Sequence, residues 1–149
     1  MSGLDLTLSA YAHLHPRVQY FIAELAFLCI LIDNHSVSNE ALQHYVSRGD
    51  TCGEPILEWL AECLSNAHEH FVPYAAGSIV TSTMEAINSE VLDDIFHTGS
   101  KASWPLSFVD YRRIKSGASE AYTFLIFDKD NFPDIRSYVH ILPYAALSH

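Results

Sequence analysis

The chain has 149 residues, of which 49% are hydrophobic, so it is long enough to form one domain with a buried core. Its formal net charge is -10, and its 8 Lys and Arg residues leave no basic surface for a nucleic-acid backbone. Its three cysteines have no paired spacing, and its N-terminus lacks the pattern of a signal peptide. We therefore expect a single cytoplasmic domain over residues 1–149 that binds no nucleic acid.

The first predicted element is an apolar helix from Val18 to Asn34. Its large aliphatic residues surround the helix almost completely, which predicts burial in the middle of a helical bundle. Gln19 and Glu24 interrupt the run, which is shorter than the roughly 20 apolar residues of a membrane span. The helix ends in Asp33 and Asn34, whose oxygen atoms could bind a divalent cation, or which could be an ordinary polar helix end.

The middle of the chain predicts three further helices. Serines before Glu40 are suitable N-caps for a short helix from Glu40 to Val46, which Gly49 closes. Helical periodicity then predicts an amphipathic helix from Pro55 to about His70. Pro73 interrupts the pattern, and a long helix with many small residues follows from Tyr74 to Phe96.

The last third of the chain is less regular. We expect a loop over residues 99–107 and a helix break followed by a new helix over residues 116–121. The apolar run at 121–127 fits either a helix or a buried strand, although its flanks show no strand partner. A final helix is predicted to start at Pro133–Ile135, with a kink at Pro143. The predicted fold class is an all-α helical bundle.

Few acidic or histidine patterns in the sequence indicate chemistry. Asp93 and Asp94 are the only adjacent carboxylates, and they fit either a solvated helix end or a metal site. The chain has two pairs of histidines spaced two residues apart, His13 with His15 and His68 with His70. Residues with this spacing face different sides of a helix, so they do not predict a zinc site. The sequence contains neither a nucleophile elbow nor a phosphate-binding glycine loop.

A basic cluster from Tyr111 to Gly117 is more informative in so acidic a protein. Arg112, Arg113 and Lys115 fit an anionic partner such as a diphosphate, or a solvated basic turn. Aromatic residues could line an apolar cavity or form ordinary core. These aromatic residues are Phe21, Phe27, Tyr74, Phe96, Phe108, Tyr122, Phe124 and Phe127.

Four segments in order carry a resemblance to a known family: ILIDN, PILEWLAECL, YRRIKSGASEAYTFLIFDK and FPDIRSYVHILP. From about His15 to Leu147 the chain resembles fungal terpene cyclases of the trichodiene synthase type, which are class I sesquiterpene synthases. The resemblance implies the core of an all-α terpenoid synthase bundle. It also implies a carbon–oxygen lyase that ionises a prenyl diphosphate of the farnesyl class with Mg²⁺ and cyclises the resulting carbocation.

By this resemblance, Asp33 matches the first acid of the aspartate-rich motif, and Asn34 stands where the second is expected. Both are therefore expected metal ligands, and Asp33 is expected to be catalytic. Arg113 matches the arginine that senses the diphosphate and is the second expected catalytic residue. The expected substrate-binding residues are Arg113, Lys115, Arg112, Tyr111, Phe27 and Tyr74.

The chain also departs from the family pattern. Asn88-Ser89-Glu90 lies upstream of the basic cluster without the required spacing, so we do not expect it to be the second metal motif. We expect bundle helices to be missing before Pro16 and after the last segment. Two functions stay open. The first is an ionising cyclase. The second is a non-ionising cyclase or a non-catalytic binder of a small apolar or isoprenoid molecule. Apolar faces left uncovered would predict a homodimer.

Overall fold

A computed structural model of the chain describes residues 11–97, 106–116 and 118–147. Every regular element in these ranges is helical, which confirms the predicted all-α class. The α-helices are α1 (Pro16–Asp33), α2 (Asn39–Arg48), α3 (Pro55–Ser65), α4 (Ala67–His70), α5 (Pro73–His97), α6 (Leu106–Lys115), α7 (Ala118–Phe124) and α8 (Leu142–Leu147). Two 3₁₀ turns, Ile135–Ser137 and Val139–Ile141, precede α8. None of the described helices has the length and hydropathy of a bilayer-spanning segment.

Helix α1 begins and ends close to where the sequence predicts. Pro16 occupies its first turn, where the missing N–H costs nothing, and the His15 ring accepts a hydrogen bond from the Arg17 N–H at 3.1 Å. Asn34 follows the helix, and its N–H donates to the Ile30 carbonyl at 2.9 Å. The helix therefore presents Asp33 as its last residue.

The predicted burial of α1 on all sides is wrong. One face is buried, but Tyr20 is 71% exposed, Phe27 46% and Ile30 41%. The main neighbours of α1 are α3 and α5, so its outer side has no covering helix among the described residues. The helix that occupies the centre is α5, which contacts α1, α2, α4, α6 and α7.

Local capping explains the boundaries of α2 and the helices after it. The Ser38 hydroxyl accepts from the Ala41 N–H at 3.2 Å, and Gly49 ends α2 with a φ of 70°, a conformation that glycine adopts without steric cost. The single helix predicted up to His70 is instead divided at Asn66 into α3 and α4. Pro73 interrupts the helical pattern, as predicted, and is itself the first residue of α5, because proline fits the first turn of a helix but not its interior.

The apolar run at 121–127 is helical up to Phe124 and then forms a turn. The backbone N–H of Lys129 donates to the His70 carbonyl at 2.8 Å, and this bond ties the turn to α4. Phe127 stacks on Tyr138, with ring centroids 4.2 Å apart. Asp134 caps the first 3₁₀ turn through the Arg136 N–H at 3.0 Å, where a helix start was predicted. The predicted long final helix is instead two 3₁₀ turns followed by the short α8.

Candidate functional site

The end of α1 meets the side of α5 at two carboxyl groups. The side chain of Asp33 forms a hydrogen bond with the side chain of Glu90. Two carboxyl groups can share such a bond only when one of them carries a proton. Burial, together with the charge and the hydrogen bond of Asp33, raises the pKa of Glu90 to about 7. We call Asp33 and Glu90 the carboxyl pair.

Helix α6 brings a positive charge to the carboxyl pair. The Arg112 guanidinium lowers the pKa of Glu90 and so opposes the effect of burial. Helix α6 contacts α5, and it also carries Tyr111, which is 51% exposed, and the exposed Lys115. The structure does not describe the side chains of Arg113, Asp93 and Asp94. The structure therefore brings Asp33, Glu90 and Arg112 together.

Glu90 belongs to the run Asn88-Ser89-Glu90, which we did not expect to be the second metal motif. Its two neighbours in this run lie in different surroundings, because Asn88 is exposed and Ser89 is buried. The sequence nevertheless contains a pattern that could have identified Glu90. Glu90 continues the buried stripe of Ile79, Thr83 and Ile87 at spacings of four, four and three residues. An acid in line with an apolar stripe needs a partner, and here Asp33 provides it.

A cavity of about 430 Å³ lies along α5. Its lining residues are Tyr74, Gly77, Ser78, Thr81, Ser82, Glu85 and Glu120. At 3.6 residues per turn, Glu90 lies about 150° around α5 from the middle of this stripe. The cavity and the carboxyl pair therefore occupy nearly opposite faces of α5. The charged groups that line the cavity are both carboxylates, so the cavity does not suit a diphosphate.

Comparison with known proteins identifies the family. No protein-family model matches the chain. It is 31% identical to "Terpene synthase BipA" of Cochliobolus sativus over an alignment of 150 positions. This alignment covers 95% of this chain and 45% of that protein. It is 28% identical to "Terpene synthase 29" of Postia placenta, over 97% of this chain and 44% of that protein. It is 27% identical to "Monoterpene synthase 25" of the same organism, over 99% of this chain and 46% of that protein.

The chain belongs to a terpene synthase-type family. This confirms the resemblance of its four segments to terpene synthases, and the sesquiterpene type stays a prediction. The similarity extends over nearly the whole chain, but the chain spans less than half the length of the curated relatives it matches.

The two aromatic residues predicted to bind substrate in this terpene synthase-type chain lie in different places. Phe27 is on the outer side of α1, where its ring is 5.9 Å from that of Trp59 on α3. The Trp59 indole N–H also donates to Glu24 of α1. Tyr74 lines the cavity, and its ring is 6.0 Å from that of Phe124. Neither residue belongs to the side of α5 that carries the carboxyl pair.

The histidine pairs of the sequence contact the protein backbone. His13 Nε2 lies 3.4 Å from the Ile126 carbonyl, and His68 Nδ1 lies 2.7 Å from the Ser65 carbonyl. His70 packs on Phe21 with ring centroids 5.2 Å apart, and burial lowers its pKa. These contacts account for the histidines as structural residues.

Two groups of described residues have donor atoms suited to a cation. The carboxyl pair offers oxygen atoms, with the Asn34 amide next in sequence, and hard cations such as Mg²⁺ prefer such ligands. The second group is His44, Asp50 and Cys52, whose donor atoms include nitrogen and sulfur. The carboxyl pair is therefore the group that fits the magnesium ion expected from the sequence.

Proposed function

We propose that this protein is a terpene cyclase-like enzyme that binds a prenyl diphosphate of the farnesyl class with Mg²⁺. The observation that carries the proposal is the carboxyl pair with Arg112 beside it. A magnesium diphosphate needs both kinds of group, carboxylates for the cation and basic side chains for the phosphate oxygens. Membership of a terpene synthase-type family supports the same chemistry.

In this proposal Glu90 supplies the carboxylate that the sequence lacks at position 34. Asp33 and Glu90 come from different helices, so both acids can contact one ion while Asn34 adds a neutral oxygen. The bound Mg²⁺ would offset the negative charge that builds up on the departing diphosphate. Packing of α1 against α5 holds the two acids in place.

The basic residues of α6 would bind the diphosphate itself. Arg112, Arg113 and Lys115 lie within four residues at one end of α6, and guanidinium groups bind phosphate oxygens through paired hydrogen bonds. A cation fixed there before reaction stabilises the leaving group without reorganisation of solvent. Tyr111, in the same segment, would border the bound substrate.

The length of the prenyl chain is a separate part of the proposal. We favour a fifteen-carbon farnesyl chain, because the four segments resemble sesquiterpene synthases. One relative is named a monoterpene synthase, so a ten-carbon geranyl chain is the second candidate. Both substrates share the diphosphate on which the carboxyl pair and α6 act.

The test is turnover by the full chain. The protein is incubated with geranyl, farnesyl or geranylgeranyl diphosphate and Mg²⁺, and released hydrocarbons and inorganic diphosphate are measured. We expect a cyclic hydrocarbon from farnesyl diphosphate, and we expect Asp33→Asn and Glu90→Gln to abolish it with the helical content retained. Glu62→Gln, an exposed acid on α3, is the matched control and should keep wild-type turnover. Equal turnover in Glu90→Gln and wild type would contradict the role of the carboxyl pair.

A second function has its own supporting observation. The cavity lies on the face of α5 opposite the carboxyl pair, so a small molecule could bind there without any diphosphate chemistry. The chain would then be a non-ionising cyclase or a non-catalytic binder of a small apolar or isoprenoid molecule. Binding of an intact cyclic hydrocarbon, with no turnover of any of the three diphosphates, would favour this function over the first.

We also propose that the protein forms a homodimer. Tyr20, Phe27 and Ile30 of α1 and Trp59 of α3 leave large apolar surfaces exposed on adjoining helices. A second copy of the chain could cover them. Size-exclusion chromatography with light scattering should give the dimer mass, and Phe27→Glu should shift it to the monomer mass. A folded wild-type monomer at micromolar concentration would contradict this part of the proposal.

We also propose that the protein is cytoplasmic. Its three cysteines, Cys29, Cys52 and Cys63, are all free thiols, a state that a reducing compartment maintains. Cell fractionation with an antibody to the chain tests the assignment, and recovery in a secreted or organelle fraction would contradict it.

A further inference from the structure

Three side chains of different chemistry meet where α2 passes into the connector before α3. They are His44 of α2 and, from the connector, Asp50 and Cys52. Their donor atoms all lie within 4.8 Å of one another, and Cys52 Sγ is 3.4 Å from His44 Nδ1. Asp50 and Cys52 are exposed and His44 is half-buried, so the cluster is open to solvent. We call these residues the His–Asp–Cys cluster.

The backbone holds the His–Asp–Cys cluster in this arrangement. Gly49 reverses the chain at the end of α2 with a φ of 70°, and its N–H donates to the Tyr45 carbonyl at 2.8 Å. The carboxylate of Asp50 then accepts from the Cys52 N–H at 2.9 Å. Cys52 has a φ of 53°, a conformation that is uncommon for a residue with a side chain. These local bonds bring the Cys52 thiol against the His44 ring.

We propose that the His–Asp–Cys cluster is a binding site for Zn²⁺ or a similar thiophilic divalent cation. Zinc bonds of about 2.3 Å to sulfur and 2.0–2.1 Å to nitrogen, at a tetrahedral angle, separate the two donor atoms by about 3.6 Å. The observed separation is 3.4 Å, so binding requires little movement. A carboxylate oxygen of Asp50 is the third ligand, and water occupies the fourth position.

The donor atoms and nearby charges of the cluster favour a thiophilic cation over Mg²⁺, the ion that we propose for the carboxyl pair. Glu40 adds a negative charge near the Cys52 thiol, whereas Arg48 is the positive group that acts on it. Sulfur and nitrogen donors select zinc, whereas Mg²⁺ prefers oxygen. The cluster is therefore chemically distinct from the carboxyl pair.

A cation at this site would link the end of α2 to the connector that leads into α3. A ligand that binds the folded chain but not the unfolded chain stabilises the fold by an amount that grows with the logarithm of its concentration relative to the dissociation constant. The His–Asp–Cys cluster would thus have a structural role.

Cobalt is the spectroscopic probe for the site. The full chain is titrated with Co²⁺, and we expect one equivalent to give thiolate-to-cobalt charge-transfer absorption and the strong visible bands of a four-coordinate site. Zn²⁺ should then bleach these bands. Cys52→Ser should remove the charge-transfer absorption and weaken binding, and His44→Gln should also weaken binding, because each variant removes a direct ligand. Cys63→Ala, which removes a buried thiol of α3, and Asp33→Asn should both leave the cobalt spectrum unchanged.

A second measurement needs no substitution in the cluster. Iodoacetamide is reacted with the wild-type chain, with and without Zn²⁺, and the modified cysteines are mapped by mass spectrometry. We expect Zn²⁺ to slow the modification of Cys52 at least tenfold. An unchanged modification rate would overturn the proposal. So would a charge-transfer band that persists in folded Cys52→Ser, or the absence of that band from the wild type at millimolar Co²⁺.

Discussion

Replacing Glu90 with glutamine should change how the stability of the protein depends on pH. The pKa of Glu90 is raised to about 7 in the folded chain, against 4.5 for an ordinary glutamate. The folded state therefore binds the proton more tightly than the unfolded state. The protonated Glu90 side chain therefore contributes fully to stability below about pH 4.5, and this contribution is lost as the pH rises through about 7. Glutamine keeps the hydrogen-bonding shape but does not titrate.

The size of the effect follows from the same pKa values. A pKa difference of about 2.5 corresponds to at most about 3.4 kcal/mol at 1.36 kcal/mol per unit. Glu90 is only half-buried, so solvent screening should reduce this to about 1 kcal/mol. A change of that size is measurable by urea unfolding of a single domain.

The assay compares the unfolding free energies of wild type and Glu90→Gln at pH 5 and pH 8 without divalent cations. Groups that do not interact with Glu90 titrate alike in both proteins, so their effects cancel in the difference. We expect the wild type to gain about 1 kcal/mol relative to the variant when the pH falls from 8 to 5. The exposed-acid variant Glu62→Gln should behave like wild type. An identical pH dependence in wild type and Glu90→Gln would refute the carboxyl pair as described.

Three further predictions concern the cation, the diphosphate and the packing of α5. Mg²⁺ should raise the urea midpoint of wild type but not that of Asp33→Asn, because the cation needs both acids of the carboxyl pair. Arg112→Ala should weaken the binding of inorganic diphosphate in the presence of Mg²⁺ roughly tenfold by calorimetry, whereas Arg136→Ala, an exposed arginine paired with an aspartate, should not. Ile79→Ala should lower the unfolding free energy by about 2–5 kcal/mol, whereas Ile114→Ala, at 76% exposure, should change it by less than about 0.5 kcal/mol.

Each of these predictions has a contrary outcome. An equal Mg²⁺ effect in Asp33→Asn would assign the cation to other acids. A similar loss of diphosphate affinity in both arginine variants would indicate a general charge effect. An effect of Ile79→Ala as small as that of Ile114→Ala would contradict the central place of α5.

The helix boundaries could be predicted because their causes are local. Ser38 and Gly49 cap α2 and Pro73 starts α5, and each acts through its own backbone or side-chain chemistry. The division at Asn66 was missed because the apolar periodicity continues across it. The exposure of α1 was also missed, because an apolar sequence does not say which of its faces finds a neighbour.

The candidate site was predicted only in part for a similar reason. Asp33 could be found from the sequence because it ends an apolar helix, but its contact with Glu90 depends on how α1 packs against α5. The effect of Arg112 on Glu90 likewise depends on how α6 packs against α5, which periodicity does not tell. The His–Asp–Cys cluster depends on the positive φ of Cys52, which no residue pattern announces.

The position of α5 at the centre of the described helices affects the cooperativity of unfolding. Opening of α5 would separate it from five neighbouring helices at once, so its amide hydrogens should exchange with solvent only when the whole domain unfolds. Helix α8 has six residues and packs mainly on α7 and the second 3₁₀ turn, so it can open while the rest of the domain stays folded. The carboxyl pair and the cavity, on opposite faces of α5, thus share one cooperative unit, so loss of that helix would abolish both together.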